Sequence, residues 1–261
     1  MAEEKSRTDG QSMDIASHVI IFIASLFSGI FGTLVGGSSL VTIPVLILLG
    51  LPPHTAIGTD RTGVMAIGVA GLYQFHKKGL IRYGIAFILG IPCLVGAFIG
   101  ASLALQISPA VMKRSIAVMT LALLAFLVAK PLKGVERAAR PLTPRLAALG
   151  IALGLAVGIY GGFYGAGAAT FLAYILIFLF GQTFLESAAT LKVAAICLTL
   201  TSSLTYAAHG AVHYPLAAAM FLGAFLGSTI GAYYSERIGN VWIKRIFVGV
   251  VLIMAVKLLL P

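Results

Sequence analysis

Charged side chains are scarce in this chain. Asp, Glu, Lys and Arg make up 10% of its 261 residues, against about 25% in a soluble domain. So few charges cannot cover the surface of a water-soluble globule. A soluble enzyme, a nucleic-acid binder and a disordered chain are excluded on that ground. Cysteine is nearly absent too. Cys93 and Cys197 lie in apolar stretches and form no CxxC or metal-type spacing, so no disulfide framework and no metal are expected. There is no P-loop G-x-x-x-x-G-K-[ST] and no G-x-S-x-G, and no histidine sits mid-segment to serve a serine as base. ATP use by the P-loop route and serine-hydrolase chemistry are therefore not expected. The chain reads as a non-enzyme without a cofactor.

What the chain does have is apolar length and glycine. Hydrophobic residues make up 59% of it, and there are 30 glycines, a residue commoner in membrane helices than in soluble ones. A membrane span needs about 20 mostly apolar residues. Ten candidate segments meet or approach that length: 15–34, 38–50, 54–76, 83–105, 111–129, 146–164, 168–181, 185–208, 214–235 and 241–260. The segments 38–50 and 168–181 are short, and each follows a glycine-rich break. Residues 1–14 form a polar tail with Glu3, Glu4, Asp9 and Asp14 against Lys5 and Arg7. A signal peptide begins basic, so the apolar stretch after the tail is expected to remain as the first helix.

The chain repeats itself. A shift of 131 residues brings Thr59 onto Thr190, Arg61 onto Lys192, Gly79 onto Gly210 and Tyr83 onto Tyr214. It also brings Gly96 and Gly100 onto Gly227 and Gly231, and Lys113-Arg114 onto Lys244-Arg245. Apolar composition alone does not align threonines, tyrosines and paired basic residues. The expected fold class is an all-α polytopic membrane protein. It comprises a first repeat at 15–129, a basic linker at 130–145 and a second repeat at 146–261, with five segments each. An odd number of segments places the two repeats in opposite orientation. Basic residues favour the cytoplasmic side. Lys77, Lys78 and Arg82 in one loop face only His209 and His213 in its counterpart. The linker holds Lys130, Lys133, Arg137, Arg140 and Arg145. The linker is thus expected to be cytoplasmic and both termini extracytoplasmic, and the +10 net charge becomes a topology signal that requires no nucleic-acid partner. The expected location is the bacterial cytoplasmic (inner) membrane, with lipid as a partner.

Ionisable groups within apolar segments cost about 2.5–3.5 kcal/mol each at a helix centre. Arg61 and Lys192, equivalent under the repeat, are therefore the leading functional candidates, with Asp60 beside Arg61. Snorkelling to the headgroups and a structural Asp60–Arg61 ion pair are the alternatives. Two cations related by a pseudo-two-fold axis suit a small anion. Arg61 offers a planar fork of donors, and Lys192 offers a point charge. The breaks Gly36-Gly37-Ser38-Ser39 and Gly165-Ala166-Gly167-Ala168 precede the short segments. A helix start of this kind presents free N–H groups and a positive dipole end. Ser38 and Ser39 are candidates to cap the helix or to donate to the ligand. Thr59 and Thr190 join the candidate anion site by their place beside the cations. The GxxxG pairs Gly96/Gly100 and Gly227/Gly231 read as helix packing. Tyr160, Phe163 and Tyr164 read as core packing or as a cavity gate. Short, glycine-interrupted segments at matching places in two halves point to a transporter binding site.

Two stretches carry a family resemblance. Gly36-Gly37-Ser38-Ser39-Leu40-Val41-Thr42-Ile43-Pro44, followed by Leu51-Pro52-Pro53-His54-Thr55-Ala56-Ile57-Gly58-Thr59-Asp60-Arg61, resembles the first signature of the TauE/SafE sulfite exporter family. Gly158 to Gly167 followed by Ala189-Thr190-Leu191-Lys192 resembles its second signature. The resemblance implies a transporter that exports or exchanges sulfite, thiosulfate, sulfoacetate or another organosulfonate. The chain departs from the family's usual pattern at Asp60, where an asparagine is common, at Ser38 and Ser39, which replace glycines, and at Gly165-Ala166-Gly167-Ala168-Ala169. Asp60 is accordingly a candidate carrier of a coupling proton. A channel for anions with the same architecture is the alternative function. The sequence leaves the oligomeric state open, a homodimer included.

Overall fold

In the computed structural model, residues 15–33, 36–129 and 141–234 are described. They form nine α-helices and, among the described residues, no strand. The helices are α1 (Ile15–Gly32), α2 (Ser39–Leu48), α3 (Pro53–Lys77), α4 (Tyr83–Leu105), α5 (Pro109–Ala129), α6 (Pro144–Phe163), α7 (Ala168–Tyr174), α8 (Phe184–Ala208) and α9 (Tyr214–Tyr233). A π-helical turn, Ile175–Leu179, continues α7. The expected segment 241–260, the tail 1–14 and most of the linker 130–145 lie outside the described residues.

Among the described residues, five helices are long and apolar enough to cross a membrane: α1, α4, α6, α8 and α9. α3 has 25 residues but carries Asp60, Arg61, His76 and Lys77. The short segments are short in the structure as well, α2 with 10 residues and α7 with 7. Pro44 lies inside α2 without ending it.

Local chemistry explains where the helices begin and stop. Pro53 opens α3 and Pro144 opens α6 at a position where a missing N–H costs nothing. Thr143 caps α6 by accepting from the Leu146 amide. α8 begins with a capping box in which Thr183 and Glu186 each satisfy the other's backbone amide. His213 caps α9, its Nδ1 accepting from the Leu216 amide at 3.3 Å. Glycine ends α3 and α8. Gly79 and Gly210 both take φ +66, a left-handed conformation that ordinary residues resist. The residues after them, Leu80 and Ala211, donate back to Phe75 O and Tyr206 O.

The helices pack in a reciprocal pattern. α4 lies against α6 and α8, while α9 lies against α1 and α3, and α3 and α8 cross each other between these groups. Glycine makes the outer contacts close. A side chain at Gly96 or Gly100 would run into the α6 backbone at Leu155 and Ile159, and one at Gly158 would sit 2.6 Å from Cys93 O. In the other group, Gly223, Gly227 and Gly231 press on the α1 backbone at Phe22, Leu26 and Ile30. The expected packing role of both GxxxG pairs is what these contacts provide. Without a hydrophobic driving force between helices in lipid, such close van der Waals contact holds them together. Gly100→Ala is therefore expected to destabilise the protein by about 1–3 kcal/mol, read as a lower melting temperature in detergent. Gly84→Ala, with nothing within 4 Å of the added carbon, should leave it unchanged.

Candidate functional site

The two glycine breaks meet near the crossing of α3 and α8. Gly36, at φ +78, faces the first turn of α7, and a side chain there would sit 2.8 Å from the Thr170 amide. Gly165, at φ +83, faces Arg61 of α3, whose guanidinium occupies the space an added carbon would need. Each break thus approaches the opposite half of the chain, and each needs glycine to do so.

Between them lies a cavity of about 60 Å³. Gly36, Gly37, Ser38, Ser39, Arg61, Gly165, Gly167 and Lys192 all line it. The structure thus brings together eight of the residues singled out in the sequence.

Arg61 and Lys192 enter from crossing helices and are 2% and 1% exposed. Neither reaches an aqueous boundary, so snorkelling does not describe them. Arg61 Nη2 donates to Ser39 Oγ at 2.6 Å and to the Asp60 carboxylate, with which it forms an ion pair. Adjacent residues on a helix do not normally face each other, so the long arginine must fold back to reach its neighbour. Asp60 Oδ1 also accepts from the Thr42 hydroxyl of α2. Arg61 Nε is buried without a hydrogen-bond partner. Lys192 lays its aliphatic stem along Gly71 of α3, and no hydrogen bond or ion pair of its ammonium is found among the described residues. The other described carboxylate, Glu186, is engaged by the Thr183 amide and by Arg82 at 3.6 Å. The cavity thus has two cations on its wall and one carboxylate behind one of them.

Four of the expected site residues lie outside the lining. Thr59 Oγ1 accepts from the His213 amide at 2.9 Å, and Thr190 Oγ1 accepts from the Arg82 amide at 3.2 Å. Each threonine is spent on the start of a helix of the other half. Ala166 is buried, and its carbonyl accepts from the Tyr160 hydroxyl at 2.6 Å. Asp60 is fully buried behind Arg61. The expected capping role of Ser38 is not seen, because its side chain makes no capping bond, while Ser39 is the partner of Arg61. Tyr160 packs edge-on against Phe171 and Tyr164, and Tyr164 is buried with its hydroxyl on Thr120. Both fit the core-packing reading, and neither lines the cavity. His209 donates from Nδ1 to Thr205 O at 2.8 Å.

Sequence reasoning missed the rest of the wall. Val64, Ile67 and Gly68 continue from Arg61 along α3, and Ala195, Leu198 and Thr199 continue from Lys192 along α8. Their spacing of three, six and seven residues from each cation is one helix face. The 131-residue shift pairs them one to one, so the signal was present once the cations were chosen.

Comparison with known proteins identifies the family. The family described as sulfite exporter TauE/SafE matches residues 21–258. The chain is similar to a probable membrane transporter protein, ORF9, of Sinorhizobium sp., with 28% identity over 94% of each chain. It is similar to the probable membrane transporter protein YdhB of Bacillus subtilis strain 168, with 27% identity over 87% of this chain and 92% of that one. A sulfite exporter TauE/SafE family protein 6 of Arabidopsis thaliana matches at 27% identity, over 44% of this chain and 26% of its own length. No solved structure matches. With five helices long and apolar enough to cross a membrane among the described residues, and a family match over nearly its whole length, this chain belongs to the TauE/SafE sulfite exporter family of membrane transporters.

Proposed function

We propose that the protein is a secondary transporter of a small sulfur-containing anion, which Arg61 and Lys192 hold between the two glycine breaks. The observation that carries this reading is the convergence of two buried cations, from equivalent positions on α3 and α8, on one cavity. Transition between two access states follows if the halves are inverted repeats that rock about that site. The reciprocal helix pairings and the reciprocal bonds Thr59 to His213 and Thr190 to Arg82 support such a pseudo-two-fold relation. Under it, the basic loop at Lys77, Lys78 and Arg82 is cytoplasmic in the bacterial inner membrane. Sulfite, thiosulfate, sulfoacetate and related organosulfonates are the substrate class.

Purified protein in liposomes is expected to take up labelled sulfite or thiosulfate with saturation, and sulfoacetate more slowly. Chloride should compete poorly, because one small ion cannot engage the Arg61 fork and Lys192 together. Saturation separates a carrier from a channel. Large single-channel currents would reject the carrier mechanism, and an absence of flux for every sulfur anion would reject the substrate class.

A further inference from the structure

We propose that the Asp60 carboxylate is an internal counter-anion, which competes with the transported anion for Arg61 and takes up one proton when that anion displaces it. The inference rests on the reading of Arg61 as an anion-binding residue. It concerns what happens to the charge behind that residue.

Arg61 stands between Asp60 and the cavity. It lines the cavity, whereas Asp60 does not. Among the described residues only Nη2 of its guanidinium is engaged, by Asp60 and Ser39, while Nε is buried with no partner. An oxyanion entering the cavity meets a fork that Asp60 already holds from the other side. Using the fork on the anion weakens the hold on Asp60. Among the described residues Asp60 has two partners, Arg61 and the Thr42 hydroxyl. Without Arg61 it would be a fully buried carboxylate with one neutral donor, which is strongly unfavourable. A proton removes that charge.

The geometry supplies a place for this proton. Thr42 Oγ1 lies within reach of two acceptors, Asp60 Oδ1 and, at 3.3 Å, its own helix's Ser38 carbonyl. The hydroxyl can turn its hydrogen to Ser38 and accept one from a protonated Asp60. No covalent bond changes beyond one O–H formed on the carboxylate with a solvent proton. Among the described residues, the other titratable groups facing this cluster are Lys192 and Tyr206 from α8 and Tyr160 and Tyr164 at the end of α6. None of these is a second carboxylate. The residue equivalent to Asp60 under the repeat is Leu191, which carries no competing charge.

The test is titration calorimetry of the full-length protein with sodium thiosulfate, which stays fully ionised near neutral pH. It is run in two buffers of different ionisation enthalpy from about pH 6 to about pH 8. Wild-type protein should take up as much as one proton per anion bound. Its affinity should rise as pH falls, by up to about tenfold per pH unit, because a protonated Asp60 no longer competes. Asp60→Asn should bind without proton uptake, with a flat pH profile, and at least about tenfold tighter than wild type near pH 8. Binding by the wild type with no proton exchange would overturn the inference and leave the anion site standing, and that measurement needs no variant to fold. Undiminished proton uptake in Asp60→Asn would also overturn it and transfer the proton to Lys192. A wild-type protein that binds no sulfur anion would overturn the anion site as well.

Discussion

Replacing Lys192 by methionine is expected to abolish anion uptake and to raise thermal stability. The two effects have one cause. The Lys192 ammonium is almost fully buried, and no carboxylate or hydrogen-bond acceptor for it is found among the described residues. An uncompensated buried charge costs several kcal/mol. Methionine fills a similar volume against Gly71 without that penalty. The same charge is what the anion is proposed to meet, and losing one partner of a buried charge pair costs about 2–5 kcal/mol. Uptake into liposomes should therefore fall by at least about thirtyfold. Arg61→Met should behave differently. It also removes the cation that holds Asp60, leaving a buried carboxylate with the Thr42 hydroxyl as its remaining described partner, so it should destabilise the protein by about 3–5 kcal/mol in addition to stopping uptake. Uptake that survives both substitutions would remove the proposed site. A less stable Lys192→Met would show that the ammonium has a stabilising partner.

Gly165→Ala is expected to be the most damaging single methyl group in the cavity wall. Gly165 is at φ +83, where an alanine costs about 1–2 kcal/mol on backbone grounds alone. Its added carbon would also fall on the Arg61 guanidinium. Arg61 would have to leave Ser39 and Asp60 to make room. Gly79→Ala separates these two causes. It has φ +66 and nothing within 4 Å of the added carbon, so it carries the backbone strain and no collision. Both variants should lose stability, and only Gly165→Ala should lose at least about tenfold in anion affinity, as expected for a disrupted charge-assisted contact. Equal uptake in the two variants would mean that the Gly165 contact with Arg61 has no part in binding.

Much of this protein was legible before any coordinates. Scarcity of charge placed it in the membrane. Hydropathy marked 83–105 with both ends of α4, and 185–208 within one residue of α8. The repeat register placed Arg61 and Lys192 together, and the glycine runs marked the breaks beside them. These signals are local or follow from a fixed offset, so the order of residues carries them. The partners of each polar side chain are a different matter. Thr59 and Thr190 sit beside the cations in sequence, yet each hydroxyl serves a backbone amide on the opposite half. Asp60 pairs with its neighbour Arg61 and also accepts from Thr42 of α2, and Ser39 rather than Ser38 meets the guanidinium. Which face of α3 or α8 looks into the cavity is set by helix rotation. That rotation is set in turn by close backbone contacts at glycines such as Gly58 against Ala211 and Gly100 against Ile159. Those contacts join residues far apart in the chain. Composition and spacing thus determine the class of the protein and the cations of its proposed site, and only packing between distant helices decides which donors and carboxylates those cations meet.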